Sequence, residues 1–185
     1  MIGECTAMKT IQTDILIVGT GASGLFAALH IPEDKKVLMI TKEEVEKSDS
    51  FLAQGGICVL RDESDYDSFM EDTLKAGHYE NRVESVDIMI RSSQDVIREL
   101  IDYGVDFAKE DGELVYTREG CHSKPRILFH EDITGEEITG KLLKEAKKQK
   151  HITIMEHMTM LDLVEQKNSS AMVWWRWTRK ERHIF

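Results

Sequence analysis

Blocks of apolar and polar positions along the first part of the chain predict a mixed α/β fold. Asp14–Val18 and Val37–Ile40 are short apolar runs without polar alternation, which is typical of buried parallel strands. Alanine and leucine recur at helical spacing in Leu25–His30, and Pro32 ends that helix. A strand–helix–strand unit of about thirty residues predicts the start of a doubly wound parallel sheet.

The pattern continues with three further helices before the last strands. Val83–Tyr103 is the best-patterned helix, because its apolar residues recur on one face and Gly104 is placed to end it. We expect Thr41–Gly56 to be a polar loop. The other predicted elements are helices over Ser68–Ala76 and after Thr134-Gly135, a hairpin over Phe107–Tyr116, and strands at Ile57–Leu60, Arg126–Phe129, Ile152–Met155 and Met160–Val164.

The C-terminal residues depart from this pattern. Val173–Arg182 holds all three tryptophans and a cluster of basic residues, and we see neither strand nor helix periodicity there. One interpretation is a basic, aromatic tail that packs on or binds something. The interpretation we favour is a reading-frame error or premature end. The expected organisation is an N-terminal extension at 1–12, one domain at 13–168 and an atypical tail at 169–185.

Composition and charge narrow the class of protein. The formal net charge of -10 argues against binding to nucleic acid or to an anionic membrane. No apolar run approaches the roughly 20 residues that span a bilayer, so we expect no membrane partner. Three scattered cysteines without a C-x-x-C pair suit unpaired thiols in a reducing cytoplasm and predict no metal site.

The first candidate binding motif is the glycine-rich turn between the first predicted strand and the first predicted helix. Gly19-x-Gly21-x-x-Gly24 allows a tight turn, close backbone approach to a pyrophosphate and close helix–strand packing. A dinucleotide site usually adds a carboxylate at the end of the second strand, but this strand ends in Thr41-Lys42. Glu43 follows, either as a ribose ligand or as a solvated loop charge. A plain nicotinamide-dependent dehydrogenase is therefore disfavoured.

Several later motifs carry a specific resemblance. Asp49–Gly56 resembles the Ser-x-x-x-Ala-Gln-Gly-Gly stretch of the fumarate reductase and succinate dehydrogenase flavoproteins. Within that superfamily, Thr117–Ser123, Arg126–His130 and Asp132–Gly135 resemble the L-aspartate oxidase family. The Thr41-Lys42 strand end also matches that family. The resemblance runs from about Asp14 to Glu165 and implies a Rossmann-like FAD-binding domain at 13–168.

The resemblance also implies which residues bind FAD and substrate. Glu119 matches a glutamate that orients the aspartate substrate, whereas outside this motif it would be an ordinary exposed loop residue. Asp49 stands where respiratory relatives carry the flavin-linked histidine, so FAD is expected to be non-covalent. The implied FAD-binding residues are Gly19, Thr20, Gly21, Ala22, Ser23, Gly24, Lys42, Asp49, Ser50, Phe51, Leu52, Ala53, Gln54, Gly55, Gly56, Thr159 and Met160.

The implied activity is oxidation of L-aspartate to iminoaspartate at the start of de novo NAD synthesis. The α-hydrogen leaves as hydride to the flavin, which oxygen or fumarate reoxidises, and quinolinate synthase is a candidate downstream partner. Family members are longer, so we expect an incomplete parallel sheet here and no catalytic acid or base within 185 residues. The alternatives are a fumarate reductase- or succinate dehydrogenase-type flavoprotein, or a non-catalytic FAD-binding remnant.

Three residues near Glu119 invite other interpretations. Cys121 replaces a second glycine of the family motif, so we expect strain if that position needs positive φ. An inert thiol is favoured over a nucleophile beside His122, because no third orienting group is apparent. His122 and His130 are interpreted as polar loop residues, since neither has a partner at metal-ligand spacing.

Overall fold

The fold is seen in a computed structural model that describes residues 10–165 and 171–177, with the backbone alone at 164–165 and 171–177. The β-strands are β1 Ile15–Val18, β2 Val37–Ile40, β3 Ile57–Cys58, β4 Lys109–Glu110, β5 Glu113–Leu114, β6 Ile127–Leu128, β7 Ile152–Met155, β8 Met158–Glu165 and β9 Ala171–Trp177. The α-helices are α1 Ala22–Leu29, α2 Asp49–Leu52, α3 Tyr66–Ala76, α4 Val83–Asp102 and α5 Thr134–Ala146. Short 3-10 helices occupy Val45–Lys47 and Glu63–Asp65.

A parallel sheet in the order β1-β2-β7 organises the molecule. Ile15 pairs with Val37, and Val37 pairs in turn with Ile152. All four residues of β2 are buried, as its uninterrupted apolar run predicts. The predicted α/β fold with a parallel sheet is therefore confirmed.

Helices α1 and α5 pack together against this sheet and form the main core. Leu25 and Ala28 of α1 and Leu142 of α5 are almost completely excluded from solvent, together with Met39 of β2. The helix predicted after Thr134-Gly135 is confirmed as α5, and its apolar residues at helical spacing are all buried.

Helices α3 and α4 form a second, smaller core with Leu60, which lies two residues after β3. Phe69, Val86, Ile90 and Leu60 are its buried members. Helix α4 ends where Gly104 adopts a φ of 89°, a conformation that favours glycine. The predicted helix and its stop signal are confirmed.

Two segments differ from the sequence prediction. Thr41–Gly56, predicted as a loop, contains the 3-10 turn and helix α2, because Ser48 caps α2 by accepting a hydrogen bond from Phe51 N at 3.2 Å. Residues 173–177, the described part of the Val173–Arg182 stretch predicted to lack strand periodicity, belong to β9, which pairs antiparallel with β8. The strand is stabilised by backbone hydrogen bonds to β8, which do not depend on an alternating pattern of apolar side chains.

Residues 1–9, 166–170 and 178–185 lie outside the described part, and so does most of the predicted extension. The boundaries 1–12, 13–168 and 169–185 stay predictions, as does the frame of the tail. Within the described residues, no helix is both long enough and apolar enough to cross a bilayer. No group of three or more His, Cys, Asp or Glu side chains in that same part is placed to hold a metal ion.

Candidate functional site

The glycine-rich turn lies at the carboxyl end of β1. Gly19 has a φ of 107°, which lets the chain turn sharply from the strand into α1. Its N–H donates to Ile40 O at 2.8 Å, so the turn is joined to the end of β2. The first glycine therefore makes the tight turn that the motif requires.

The other two glycines bring backbone segments close together. A Cβ at Gly24 would lie 2.4 Å from Gly19 O, so only glycine allows α1 to pack this closely on the turn. A Cβ at Gly21 would lie 2.9 Å from Ser50 Oγ, so the glycine-rich turn directly adjoins α2. Both predicted FAD-binding segments are thus brought into contact at one end of the sheet.

The turn is chemically suited to a phosphate. Gly21 is the N-cap of α1, and no side chain among the described residues caps that helix, so its first N–H groups and partial positive charge are available to an anion. Thr20 is almost fully buried, and its Oγ1 has no hydrogen-bond partner within the described part of the chain. Free backbone donors and an unsatisfied hydroxyl fit the FAD pyrophosphate.

Helix α5 supports the second segment at a residue that the sequence analysis did not assign to the site. Gly135 N donates to Ala53 O at 2.9 Å. A Cβ at Gly135 would lie 2.1 Å from Ser50 O and 2.5 Å from Ala53 O. The glycine in the Asp132–Gly135 motif was the available signal, but only the close contact explains why that position holds glycine.

The remainder of the second segment faces solvent. Asp49, Gln54, Gly55 and Gly56 are exposed, and Leu52 is exposed over 65% of its surface. Gly56 also packs against β6, because a Cβ there would lie 2.2 Å from Ile127 Cγ2. Phe51 and Ser50 are half-buried. An exposed surface of apolar side chains and main chain, beside a turn suited to a phosphate, suits the rest of a dinucleotide.

The predicted adenosine side lies at the end of β2. Thr41 N donates to Met155 O at 3.0 Å, and Thr41 O accepts from Met158 N at 2.8 Å. Lys42 is exposed next to this junction, and Thr159 and Met160 follow on β8. The structure therefore places Lys42 near the start of β8, beside the strand ends that carry the glycine-rich turn.

Glu119 lies on the exposed loop before β6. A Cβ at Gly55 would lie 3.9 Å from Glu119 Oε2, so the carboxylate adjoins the segment expected along the flavin. The neighbouring Gly120 has a φ of 54°, whereas Cys121 does not have positive φ. The condition for strain at Cys121 is therefore not met, because Gly120 is the residue with positive φ in this turn. Cys121 is a free, exposed thiol.

A buried arginine next to this loop was missed by the sequence analysis. Arg126 is fully buried and forms two hydrogen bonds with Asp65, Nε to Oδ2 at 2.9 Å and Nη2 to Oδ1 at 2.8 Å. Its Nη1 donates to Asp72 Oδ2 at 2.6 Å, and its guanidinium lies 4.8 Å from the ring centroid of Phe69. Nothing in the strand-like run Arg126–Phe129 signals a buried charge, because its partners are distant in sequence.

His122 belongs to the same network, so its interpretation as a polar loop residue is incomplete. Its Nδ1 lies 3.0 Å from Arg126 Nη1, and its Nε2 lies 3.2 Å from Cys58 Sγ. Arginine can only donate, so Nδ1 accepts and the proton of the neutral ring lies on Nε2, toward the sulfur. Burial and then the Arg126 charge lower the pKa of His122, while burial raises the pKa of the Cys58 thiol. The Nδ1 lone pair is therefore occupied by Arg126, and the raised pKa of Cys58 disfavours its thiolate form.

Comparisons with known proteins show which proteins the chain is similar to. Residues 14–183 match the model of the family described as FAD binding domain. The chain is 44% identical over 155 residues to an L-aspartate oxidase of Clostridium perfringens, covering 84% of this chain and 35% of that protein. It is 45% identical over 159 residues to an L-aspartate oxidase of Clostridium acetobutylicum, covering 85% of this chain and 37% of that protein.

A solved structure supports the fold. E. coli quinol fumarate reductase superposes with a TM-score of 0.81 at 24% identity, covering 86% of this chain and 28% of that chain. The chain thus spans about a third of the length of the curated relatives above and rather less of this structure.

Proposed function

The chain belongs to the FAD binding domain family, and we propose that it forms the cofactor-binding part of an enzyme that oxidises L-aspartate to iminoaspartate. The observation that carries this proposal is the meeting of three segments at one end of the sheet. They are the glycine-rich turn at Gly19–Gly24, the Asp49–Gly56 segment and the loop that carries Glu119. The sequence similarity to L-aspartate oxidases supports the choice of substrate.

Each segment has a distinct role in the proposal. The N–H groups at the start of α1, with Thr20, hold the FAD pyrophosphate, and Lys42, Thr159 and Met160 lie on the adenosine side. The Asp49–Gly56 segment runs along the flavin, and Glu119 orients the substrate through its amino group. When bound, FAD supplies the hydride acceptor for oxidation at the substrate Cα. Oxygen or fumarate is the proposed final electron acceptor.

Asp49 favours this function over a respiratory one. A carboxylate cannot form the histidyl linkage expected of respiratory relatives, so we propose non-covalent FAD. The fold likeness to quinol fumarate reductase extends to architecture, not to electron source. We further propose a cytoplasmic location, and quinolinate synthase as the enzyme that consumes the iminoaspartate.

Absorbance spectroscopy tests the proposal in the complete enzyme. Purified protein with excess FAD removed should show flavin absorbance, which anaerobic aspartate should bleach. Acid precipitation should leave the yellow colour in the supernatant. Flavin that stays with the pellet would contradict non-covalent binding, and holo-protein that aspartate fails to bleach would contradict the substrate.

A further inference from the structure

The loop that carries Glu119 is held in place from outside the proposed substrate site. Asp72 of α3 accepts hydrogen bonds from both Ser123 N and Ser123 Oγ at 2.7 Å. The same Oδ2 atom accepts from Arg126 Nη1 at 2.6 Å. One carboxylate oxygen therefore joins α3, the end of the Glu119 loop and the buried arginine.

The arginine is itself rigidly held, which makes the carboxylate a fixed anchor. Asp65 engages Arg126 through both of its oxygens, and Ser68 Oγ lies 3.0 Å from Arg126 Nη2. Charge-assisted, bidentate hydrogen bonds of this kind are strong, and they also fix the orientation of the guanidinium relative to the carboxylate. Movement of Asp72 would leave a buried guanidinium short of a partner, which is costly.

His122 gives the loop a second attachment. Its ring bridges Arg126 and Cys58, which lies two residues beyond Gly56. The loop from Arg118 to Ser123 is thus attached to α3 through Asp72 and to β3 through Cys58. Strand β3 directly follows the Asp49–Gly56 segment. Glu119 occupies the exposed end of this fastened loop, next to Gly55.

We propose that Asp72, acting with Arg126, is a positioning residue that holds the Glu119 loop in the geometry required to bind aspartate. This inference rests on the proposed function, because it takes Glu119 to be the substrate-orienting group. Asp72 does not touch the substrate. Its effect is carried through Ser123 and His122.

The first test measures the loop itself and requires no activity. Arg118 is exposed, so trypsin cleavage after it reports loop mobility when the fragments are followed by mass spectrometry. Asp72→Asn should accelerate this cleavage by about fivefold or more, because the anchor to Ser123 is weakened. Asp67→Asn, which removes the same charge from an exposed position on the same helix, should leave it unchanged. Unchanged cleavage in Asp72→Asn would overturn the inference.

The second test uses steady-state kinetics of the complete enzyme at saturating FAD. Asp72→Asn should raise KM for aspartate by about tenfold with a smaller change in kcat, the size expected for losing a hydrogen bond to a charged group. Ser123→Ala should act in the same direction but more weakly, and it leaves the Asp72–Arg126 pair intact. It therefore serves as the readout if Asp72→Asn lowers the folded yield.

A double-mutant cycle separates positioning from general structure. In a Glu119→Gln background, Asp72→Asn should change KM for aspartate by less than about twofold. Both substitutions act on the same interaction, the one between the Glu119 carboxylate and the substrate. Fully additive effects would overturn the inference while leaving the proposed function in place. If Glu119→Gln alone leaves KM for aspartate unchanged, the substrate role of Glu119 fails, whatever the trypsin result shows.

Discussion

At the residue scale, the site depends on positions where a single added carbon would collide with backbone. Gly24 and Gly135 each face a carbonyl oxygen that a Cβ would approach within 2.4 Å. Such contacts cannot relax by a rotamer change, since the opposing atom belongs to the main chain. Gly24 therefore determines how closely α1 approaches the turn, and Gly135 determines how closely α5 approaches α2.

Gly21→Val tests the proposed pyrophosphate site at this scale. A branched side chain there would meet Ser50 and cover the N–H groups at the start of α1. We expect FAD affinity to fall by about 100-fold or more, because hydrogen bonds to a charged group contribute about 1.5–3 kcal/mol each. Quenching of flavin fluorescence measures the affinity, and circular dichroism checks that the variant is folded. Undiminished affinity in a folded variant would mean that the cofactor lies elsewhere.

At the element scale, the N-terminus of α5 supports α2 within the Asp49–Gly56 segment. The hydrogen bond from Gly135 N to Ala53 O fixes where α2 ends, and the absence of a side chain lets the two helices meet. Helix α5 also contributes the apolar face that covers the sheet beside α1. One helix thus joins core packing to the shape of the site.

Gly135→Ala and Gly140→Ala should change stability in opposite directions, although both replace a glycine in α5. The first places a methyl group 2.1 Å from Ser50 O and should lower the free energy of unfolding by about 1–3 kcal/mol, with weaker FAD binding. The Cβ of Gly140→Ala meets nothing within 4 Å, and this substitution should raise the free energy of unfolding by about 0.5–1 kcal/mol through helix propensity. Urea denaturation of both variants measures this. Equal effects would show that the α5–α2 contact is not tight.

At the scale of the whole molecule, the Arg126 cluster joins the second core to the site. Asp65 precedes α3, Asp72 lies within it, and Arg126 precedes β6, so one buried cation connects separate elements. Hydrogen bonding to Arg126 holds the pKa of Asp65 at about 2. Removing one partner of a buried ion pair costs more folding free energy than the intact pair contributes, because the other charge stays buried without a partner.

Asp65 should contribute to acid sensitivity of the whole fold. Because its pKa in the folded state lies below the ordinary value of 3.8, its contribution is present above about pH 4 and is lost as pH falls toward 2. Asp65→Asn should lower the free energy of unfolding at neutral pH by about 3 kcal/mol and flatten its decline in this acid range. Urea denaturation between about pH 7 and about pH 2 checks both effects, with Asp67→Asn as the exposed control. A parallel decline in wild type and Asp65→Asn would contradict the assignment.

The sequence by itself determined the β1–α1–β2 unit, the long helix α4 with its stop at Gly104, and the glycine-rich turn. These features depend on residues a few positions apart, where apolar periodicity and glycine conformation act locally. The Asp49–Gly56 segment was identified by its motif, but its helix α2 was not, since Ser48 capping and support from Gly135 arise only in the folded chain.

Only the tertiary structure decided how the candidate site is held together. The partners of Arg126 lie 61 and 54 positions away along the chain, at Asp65 and Asp72. Neither a periodic pattern nor a local motif encodes such a pairing, because burial of a charge is decided by how separate elements pack. The proximity of Glu119 to the segment at Gly55 has the same origin: folding brings together two loops whose chemistry the sequence identifies only separately.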